Sequence, residues 1–422
     1  MPVGTDFDGL DAQGEDADLL LQVQFGFRKH GDPSDRIGVA VSGGSDSMAM
    51  LHLMARVAPY AGWSVHAVTV DHRLRPEAAG EVAFVAKVCA GLGVPHAVLV
   101  WDHGPILGNL MQAAREARYQ LLADWALGQG IAAVAVAHTA DDQAEGFLIG
   151  LSRSAGLDGL TGMRQQFARD GVTFHRPFLN QSRAALRGYL LRQGLTWVED
   201  PTNDNDRYTR TKARRVLKSL KPLGITVDRL STVIHNLSMA QGVIAQTVQR
   251  AARDVVTEAA GALTFDRQAF LDLGPEVNRL LLIAMLRWTA GLTHAPRAES
   301  ILNLQRALAD NRDATLRGCS FRTRAGLVTL SREARALGSP VPVGAQWDGR
   351  WLVSGPPGEV RVLGAAGLRQ CPDWRATGLA RQVLEVTPGV WHGATLIAAP
   401  CAGFGPATAT CAPGFHAFLL SH

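Results

Sequence analysis

Ser42-Gly43-Gly44-Ser45-Asp46-Ser47 sets three hydroxyls, two glycines and a carboxylate in a row, directly after the apolar run Val39-Ala40-Val41. Glycines let a backbone approach an anion closely, and serine hydroxyls donate hydrogen bonds to it. A helix beginning there, with Met48-Ala49-Met50-Leu51-His52-Leu53 as its apolar continuation, aims unpaired N–H groups and its positive dipole end at the same point. A polyphosphate suits such a turn. Asp46 would repel phosphate unless a divalent cation lay between them, so the loop predicts Mg²⁺. It carries neither the G-x-x-x-x-G-K-S/T pattern nor G-x-G-x-x-G, which excludes a P-loop and a dinucleotide fingerprint. A plain Gly-Gly strand-to-helix turn would use similar residues.

Three further clusters carry chemistry. In His138-Thr139-Ala140-Asp141-Asp142-Gln143-Ala144-Glu145, the pairs Asp141/Glu145 and Asp142/Glu145 have the spacing that shares one helical face. These carboxylates could hold a metal or an ammonium group, or simply complement the helix dipole. In Ala114-Arg115-Glu116-Ala117-Arg118-Tyr119, two guanidiniums on one face suit a phosphate or a developing negative charge, as would an ordinary exposed helix. Glu199-Asp200-Pro201-Thr202-Asn203-Asp204 then leads into a basic helix with Arg207, Arg210, Lys212, Arg214 and Arg215. Between Arg176 and Lys221 eleven Arg or Lys face four acidic residues, an excess that suggests a polyanion larger than ATP, or a solvated face.

The elements that must position these groups are legible as alternation. Strand signals at Val39-Ala40-Val41, Val65 to Val70, Pro95 to Val100 and Ile131 to Ala137 alternate with helical spacing over Pro76 to Leu92, Asn109 to Leu127 and onward from Thr139. That pattern predicts an α/β fold with a parallel sheet covered on both faces and ligands at the carboxyl ends of its strands. The serine-glycine loop, Asp71-His72 and His138 all fall at such ends, so one shared edge is expected. A histidine closing a strand more often packs or hydrogen-bonds, and neither His72 nor His138 is taken as a proton acceptor. From Thr226 to Ala309 the strand signal disappears and a small helical domain is expected. Beyond Ser320 alternation over Phe321 to Leu330 and a tight turn at Trp347-Asp348-Gly349-Arg350-Trp351 suggest a β-rich module. The domains expected are an acidic, disordered tail over 1–30, a catalytic domain over 31–222, a helical domain over 223–318 and a β-rich domain over 319–422.

A chain of 422 residues, 47% hydrophobic and 19% charged, has the composition of a globular protein of two or three domains. No apolar run reaches the roughly 18 residues that span a bilayer. The first twenty residues carry six acidic groups and no basic one, the reverse of a secretory leader, so a cytoplasmic protein without a membrane partner is expected. Cys89, Cys319, Cys371, Cys401 and Cys411 form no C-x-x-C pair, which argues against a zinc ribbon or iron–sulfur ligand set. No obligate protein partner is evident.

The loop resembles the S-G-G-x-D-S loop of the N-type ATP pyrophosphatases, also called PP-loop proteins, which split ATP into AMP and pyrophosphate. The order of motifs is similar to that of the bacterial tRNA(Ile)-lysidine synthetase family. The resemblance rests on S-G-G-S-D-S, V-D-H-R-L-R at Val70 to Arg75, A-R-E-A-R-Y, H-T-A-D-D-Q-A-E, G-L-D-G-L-T-G-M at Gly156 to Met163, Arg176-Pro177 and E-D-P-T-N-D. It covers about residues 36 to 220; Gly146, where the family commonly has threonine, and Ser154-Ala155, in place of Gly-Ser, depart from it. The resemblance implies a Rossmann-like PP-loop domain that adenylates C2 of the wobble cytidine of a tRNA-Ile with a CAU anticodon. Free L-lysine then displaces AMP to give lysidine. It implies ATP contacts at Ser42 to Ser47, Asp71, His72 and His138, with Mg²⁺ held by Asp46 and Asp142. Arg115 or Arg118 would offset charge at the α-phosphate, and Asp141, Asp142 or Glu145 would hold lysine and accept its proton. Arg207, Arg210, Lys212, Arg214 and Arg215 would contact tRNA, Arg210 and Arg214 alternatively the adenylate. A PP-loop tRNA thiolase is the enzymatic alternative, disfavoured by Ser45 and by the lack of paired cysteines; a non-catalytic nucleotide- or RNA-binding module is the other.

Overall fold

The computed structural model describes residues 15–28, 36–73, 78–104, 108, 110–199 and 209–421. They divide into two compact units, with the boundary between Gln241 and Gly242.

The first unit opens on α1 (Glu15–Arg28), followed by β1 (Arg36–Ala40), α2 (Ser45–Ala61), β2 (Ser64–Asp71), α3 (Ala78–Leu92), β3 (His96–Val100), α4 (Leu110–Gly128) and β4 (Ala133–Ala135). It continues through α5 (Ala140–Ser152), α6 (Leu157–Leu160), β5 (Gln166–Arg169), β6 (Val172–His175), α7 (Arg183–Arg192) and α8 (Thr209–Leu220). One sheet of order β3-β2-β1-β4-β6-β5 runs parallel except for β5, an antiparallel edge strand. From β1 the chain steps outward through β2 to β3, and β4 then starts on the other side of β1, with β6 and the edge strand β5 beyond it. The crevice where that order reverses lies outside the carboxyl ends of β1 and β4, which is where open α/β sheets bind ligands.

Both faces are covered, as the near-continuous apolar strands require. Ile37 and Val39 of β1 pack with Leu51, Met54, Val85, Leu186 and Leu190 from α2, α3 and α7. Val68 and Val134, with Phe174 of β6, join Tyr119, Leu122 and Ala126 of α4 in a second cluster. Each Val, Leu, Ile, Phe or Met among them contributes about 1.5–3 kcal/mol when fully buried.

Two features of this unit depart from the sequence reading. The expected disordered tail over 1–30 contains α1, whose Leu19, Leu20, Val23 and Phe27 are buried in the first core. Their helical spacing outweighs the acidic composition; the first fourteen residues lie outside the described ones. The sheet also gains β5 and β6, joined across Asp170-Gly171, both at positive φ. Such a pair is the strongest short hairpin signal a sequence offers.

Helix α9 (Val227–Val255) contains the unit boundary. In the second unit β7 (Val256–Ala259) and β8 (Ala262–Asp266) lie within the stretch expected to be helical, so the strand signal does not vanish there. They form a sheet of order β7-β8-β11-β10-β9 with β9 (Ala314–Leu316), β10 (Cys319–Arg324) and β11 (Leu327–Arg332). The sheet therefore crosses the expected boundary at 318. Phe321 to Leu330 is a hairpin turning at Ala325-Gly326, not one alternating strand. Phe265, Phe270, Leu281, Met285, Phe321, Leu330 and Phe415 share its core. Two smaller antiparallel sheets follow, and Trp347 pairs with Trp351 across the expected tight turn.

Candidate active site

The serine-glycine loop forms where β1 ends and α2 begins. Gly43 takes φ +86°, a left-handed conformation that side chains strain to adopt, and its carbonyl accepts from the Val198 N–H at 2.9 Å. The Ser47 hydroxyl donates to the Gly44 carbonyl at 3.0 Å and accepts from the Ser42 N–H at 3.1 Å, which closes the turn on itself. Ser42 and Ser47 hydroxyls lie 3.2 Å apart, and the Ser45 hydroxyl donates to Asp46 Oδ1 at 3.2 Å. Gly44 caps α2 with no side chain, so the start of this helix is presented by backbone and hydroxyls.

Asp46, Asp142 and Glu145 converge on one guanidinium that the sequence reading missed. Arg183, the first residue of α7, places Nε 3.0 Å from Asp46 Oδ2, Nη2 3.6 Å from Asp142 Oδ1 and Nη1 3.5 Å from Glu145 Oε1. Its backbone N–H donates to Asp141 Oδ2 at 2.7 Å. One turn along, Arg187 donates from Nε to the Ser45 hydroxyl at 3.2 Å. The i, i+4 spacing of these arginines is the signal that could have flagged them. On the other side, α8 packs against α5: Arg210 Nη1 lies 3.1 Å from Asp142 Oδ1 and Arg214 Nε 2.6 Å from Glu145 Oε1. Asp142 also caps its own helix, its Oδ2 accepting from the Thr139 N–H at 3.0 Å and hydroxyl at 3.1 Å. Capping and ion pairing coexist in one carboxylate.

Burial raises the Asp46 pKa above the ordinary range despite Arg183, with Asp142 adding to the rise. Glu145, whose side chain is 0% exposed, is likewise raised by burial although Arg214 opposes it. Its Oε2 is buried with no hydrogen-bond partner. Burial pushes Asp142 up too, but Arg183, the Thr139 N–H and Arg210 outweigh it and hold that group low. Asp46 and Asp142 also hold the Arg183 pKa above its ordinary value, against burial.

A second cluster is linked to the first by charge. Arg115 and Arg118 lie over the Tyr119 ring at 5.4 and 5.2 Å from its centroid. Arg176 stacks on Phe167 at 4.2 Å, donates from Nη1 to the Arg164 carbonyl at 2.7 Å and from Nε to His138 Nδ1 at 3.2 Å. Because Nδ1 accepts, the neutral His138 ring carries its proton on Nε2. Burial, then Arg176, Arg118 and Arg115, hold His138 well below the usual histidine pKa, although Asp142 opposes them. Burial, then Arg118, lower the His72 pKa, and its ring meets Trp101 edge-on at 5.7 Å. Asp71, beside it, turns its Oδ1 to the Arg73 N–H at 2.8 Å. Asp142 accepts from the N–H of Thr139, the chain neighbour of His138, so the two clusters adjoin at the start of α5.

Lys212 and Arg215 are exposed on α8. Arg207 and Asp200 to Asp204 lie outside the described residues, as do Leu74 and Arg75. Among the described residues no group of three or more His, Cys, Asp or Glu forms a metal cage, and no helix is long and apolar enough to cross a membrane.

Residues 19–220 match the PP-loop domain family. The chain is 44% identical over 410 residues to a tRNA(Ile)-lysidine synthase of Ruegeria pomeroyi, covering 95% of this chain and 97% of that one. It is 32% identical to a tRNA(Ile)-lysidine synthase of Wolbachia pipientis, over 75% of this chain and 76% of that one. Among solved structures, a U34-tRNA thiolase from Methanococcus maripaludis matches with TM-score 0.46 and 13% identity, over 53% of this chain and 78% of that one. With an ATP-using PP-loop domain carrying these carboxylates and arginines, and a 44% identical relative aligned along 95% of its length, the chain belongs to the tRNA(Ile)-lysidine synthase family.

Proposed function

We propose that this edge adenylates C2 of the wobble cytidine of a tRNA-Ile bearing a CAU anticodon and then joins it to free L-lysine, releasing AMP and pyrophosphate in the cytoplasm. The observation that carries the reading is Glu145 Oε2, a buried carboxylate oxygen without a partner, whose carboxylate is tied to Asp46 of the loop through Arg183. An amine substrate supplies the donor it lacks.

In this reading Ser42 to Ser47 and the start of α2 bind the departing pyrophosphate. Asp46 and Asp142 fit Mg²⁺, which takes hard oxygen donors from one or two carboxylates and completes its shell with phosphates and water. Both already converge on one positive charge, that of Arg183. When bound, the ion offsets phosphate charge and so lets Asp46 sit beside the polyphosphate. Arg115 and Arg118 would offset charge building at the α-phosphate. Asp71, His72 and His138 complete the nucleotide side, His138 as a neutral donor through Nε2.

Free lysine is an ammonium at neutral pH and attacks only after losing a proton. Glu145, raised by burial, is suited to bind that ammonium and take the proton, with Asp141 and Asp142 nearby. Sulfur transfer is disfavoured within the first unit, whose one cysteine among the described residues, Cys89, is buried in the core.

The exposed arm of α8 is read as tRNA contact. Lys212→Ala is expected to weaken tRNA binding and to lower the slope of log affinity against log salt by about one. Identical slopes for variant and wild type would remove Lys212 from the phosphate contacts. The reaction itself is tested by mass spectrometry of the tRNA after incubation with ATP and labelled lysine, or with a sulfur donor instead. Label in the anticodon supports lysidine; sulfur in its place contradicts it.

A further inference from the structure

We propose that Arg183 is an internal counter-cation, seated among the Asp46, Asp142 and Glu145 carboxylates, which the divalent ion and the lysine ammonium must displace in order to bind. The inference takes the identity of those ligands from the lysidine-forming reading and assigns a positioning role to a residue outside it.

Each nitrogen of the guanidinium addresses a different carboxylate: Nε on Asp46, Nη2 on Asp142 and Nη1 on Glu145. Among the described residues, Arg183, Arg210 and Arg214 set three guanidiniums against these three carboxylates. A divalent ion at Asp46 and Asp142, or an ammonium at Glu145, would compete with this guanidinium for the same carboxylates, and like charges this close repel strongly. In the proposed exchange an arginine withdraws. Arg183 is the one that touches both Asp46 and Asp142, the pair suited to the ion.

The backbone permits the exchange. The Arg183 N–H is fixed to Asp141 at 2.7 Å, and Ser182 caps α7 by accepting from the Ala185 N–H at 3.1 Å. The side chain can swing while its helix stays in place, and the phosphates of a bound nucleotide offer the guanidinium a new partner. The unpartnered Glu145 Oε2 is an independent sign that the arginines do not saturate the cluster.

The test uses Mn²⁺ as the probe, titrated into the full-length chain by electron paramagnetic resonance without ATP, lysine or tRNA. Arg183→Gln is expected to bind Mn²⁺ about tenfold more tightly than wild type, because a competing charge is gone. Arg183→Lys, which keeps the charge, is expected to stay within about twofold of wild type. Equal or weaker binding by Arg183→Gln overturns the proposal, since an arginine that only supports structure would loosen the site when removed. So does the absence of Mn²⁺ binding in both chains. Should the glutamine variant not fold, the Nε–H resonance of Arg183 in wild type decides: it shifts on adding Mg²⁺ if the exchange occurs, and an unmoved signal at saturating Mg²⁺ overturns it. Lysidine formation is read separately on the tRNA, so its failure with the Mn²⁺ result intact would count against the reaction and not against Arg183.

Discussion

Asp46→Asn is expected to lower the rate of tRNA-dependent pyrophosphate release by about 10²–10³-fold, and raising Mg²⁺ should not restore it. Two physical effects act together. Asparagine offers a neutral oxygen where the ion needs a charged donor, so phosphate and loop lose the cation that reconciles them. Arg183 also loses its closest partner, at 3.0 Å, and is freed toward Asp142 and Glu145, which lie at 3.6 and 3.5 Å. The second effect deepens the first, because the guanidinium then competes for Asp142, the remaining carboxylate of the pair. Steady-state pyrophosphate release across a Mg²⁺ series checks this. An unchanged rate at limiting Mg²⁺ would remove Asp46 from the mechanism.

Glu145→Gln should divide the reaction in two. Adenylation draws on the loop, Asp46 and the arginines of α4, none of which this change touches, so pyrophosphate release should persist. Lysine-dependent release of AMP should fall by about 10²–10⁴-fold, since glutamine can accept a hydrogen bond but cannot take the proton that keeps lysine unreactive. Glutamine is the substitution of choice because it leaves Arg214 an oxygen acceptor. Truncation to alanine would take the carboxylate away from Arg214 Nε, and breaking a buried ion pair by removing one member costs about 3–5 kcal/mol. Rapid-quench measurement of the two half-reactions separates them. Equal loss of both would mean that Glu145 supports the fold of the site and not the second step.

What could be read from the sequence was what is local. The serine-glycine loop is six consecutive residues whose types dictate a turn, and its position after β1 and before α2 follows from the flanking apolar runs. The acidic turn of α5 and the arginine pair of α4 were legible for the same reason, since helical spacing alone sets which side chains are neighbours. Arg183 was not, because it meets Asp46 across 137 residues of chain and only the packing of α2 on α7 brings them together. Arg210 and Arg214 were legible as a basic face, but their pairing with Asp142 and Glu145 depends on α8 lying against α5. Helix α1 was hidden by composition: acidic residues crowd the same stretch as the apolar stripe that buries Leu19, Leu20, Val23 and Phe27. The hairpin of β5 and β6 had its Asp-Gly signal in plain view between two short strands. Strands β7 and β8 are short segments between helices, where periodicity has too few residues to declare itself.

Throughout, cleavage of ATP between its α- and β-phosphates, with the nucleotide handed to RNA, is the step on which the assigned roles depend. It is tested most directly by following the fate of labelled ATP when the purified chain meets its tRNA and lysine. AMP and pyrophosphate should form together, only with the tRNA present, and in equal amounts to the lysine incorporated. Formation of ADP, or turnover that ignores the tRNA, would contradict it.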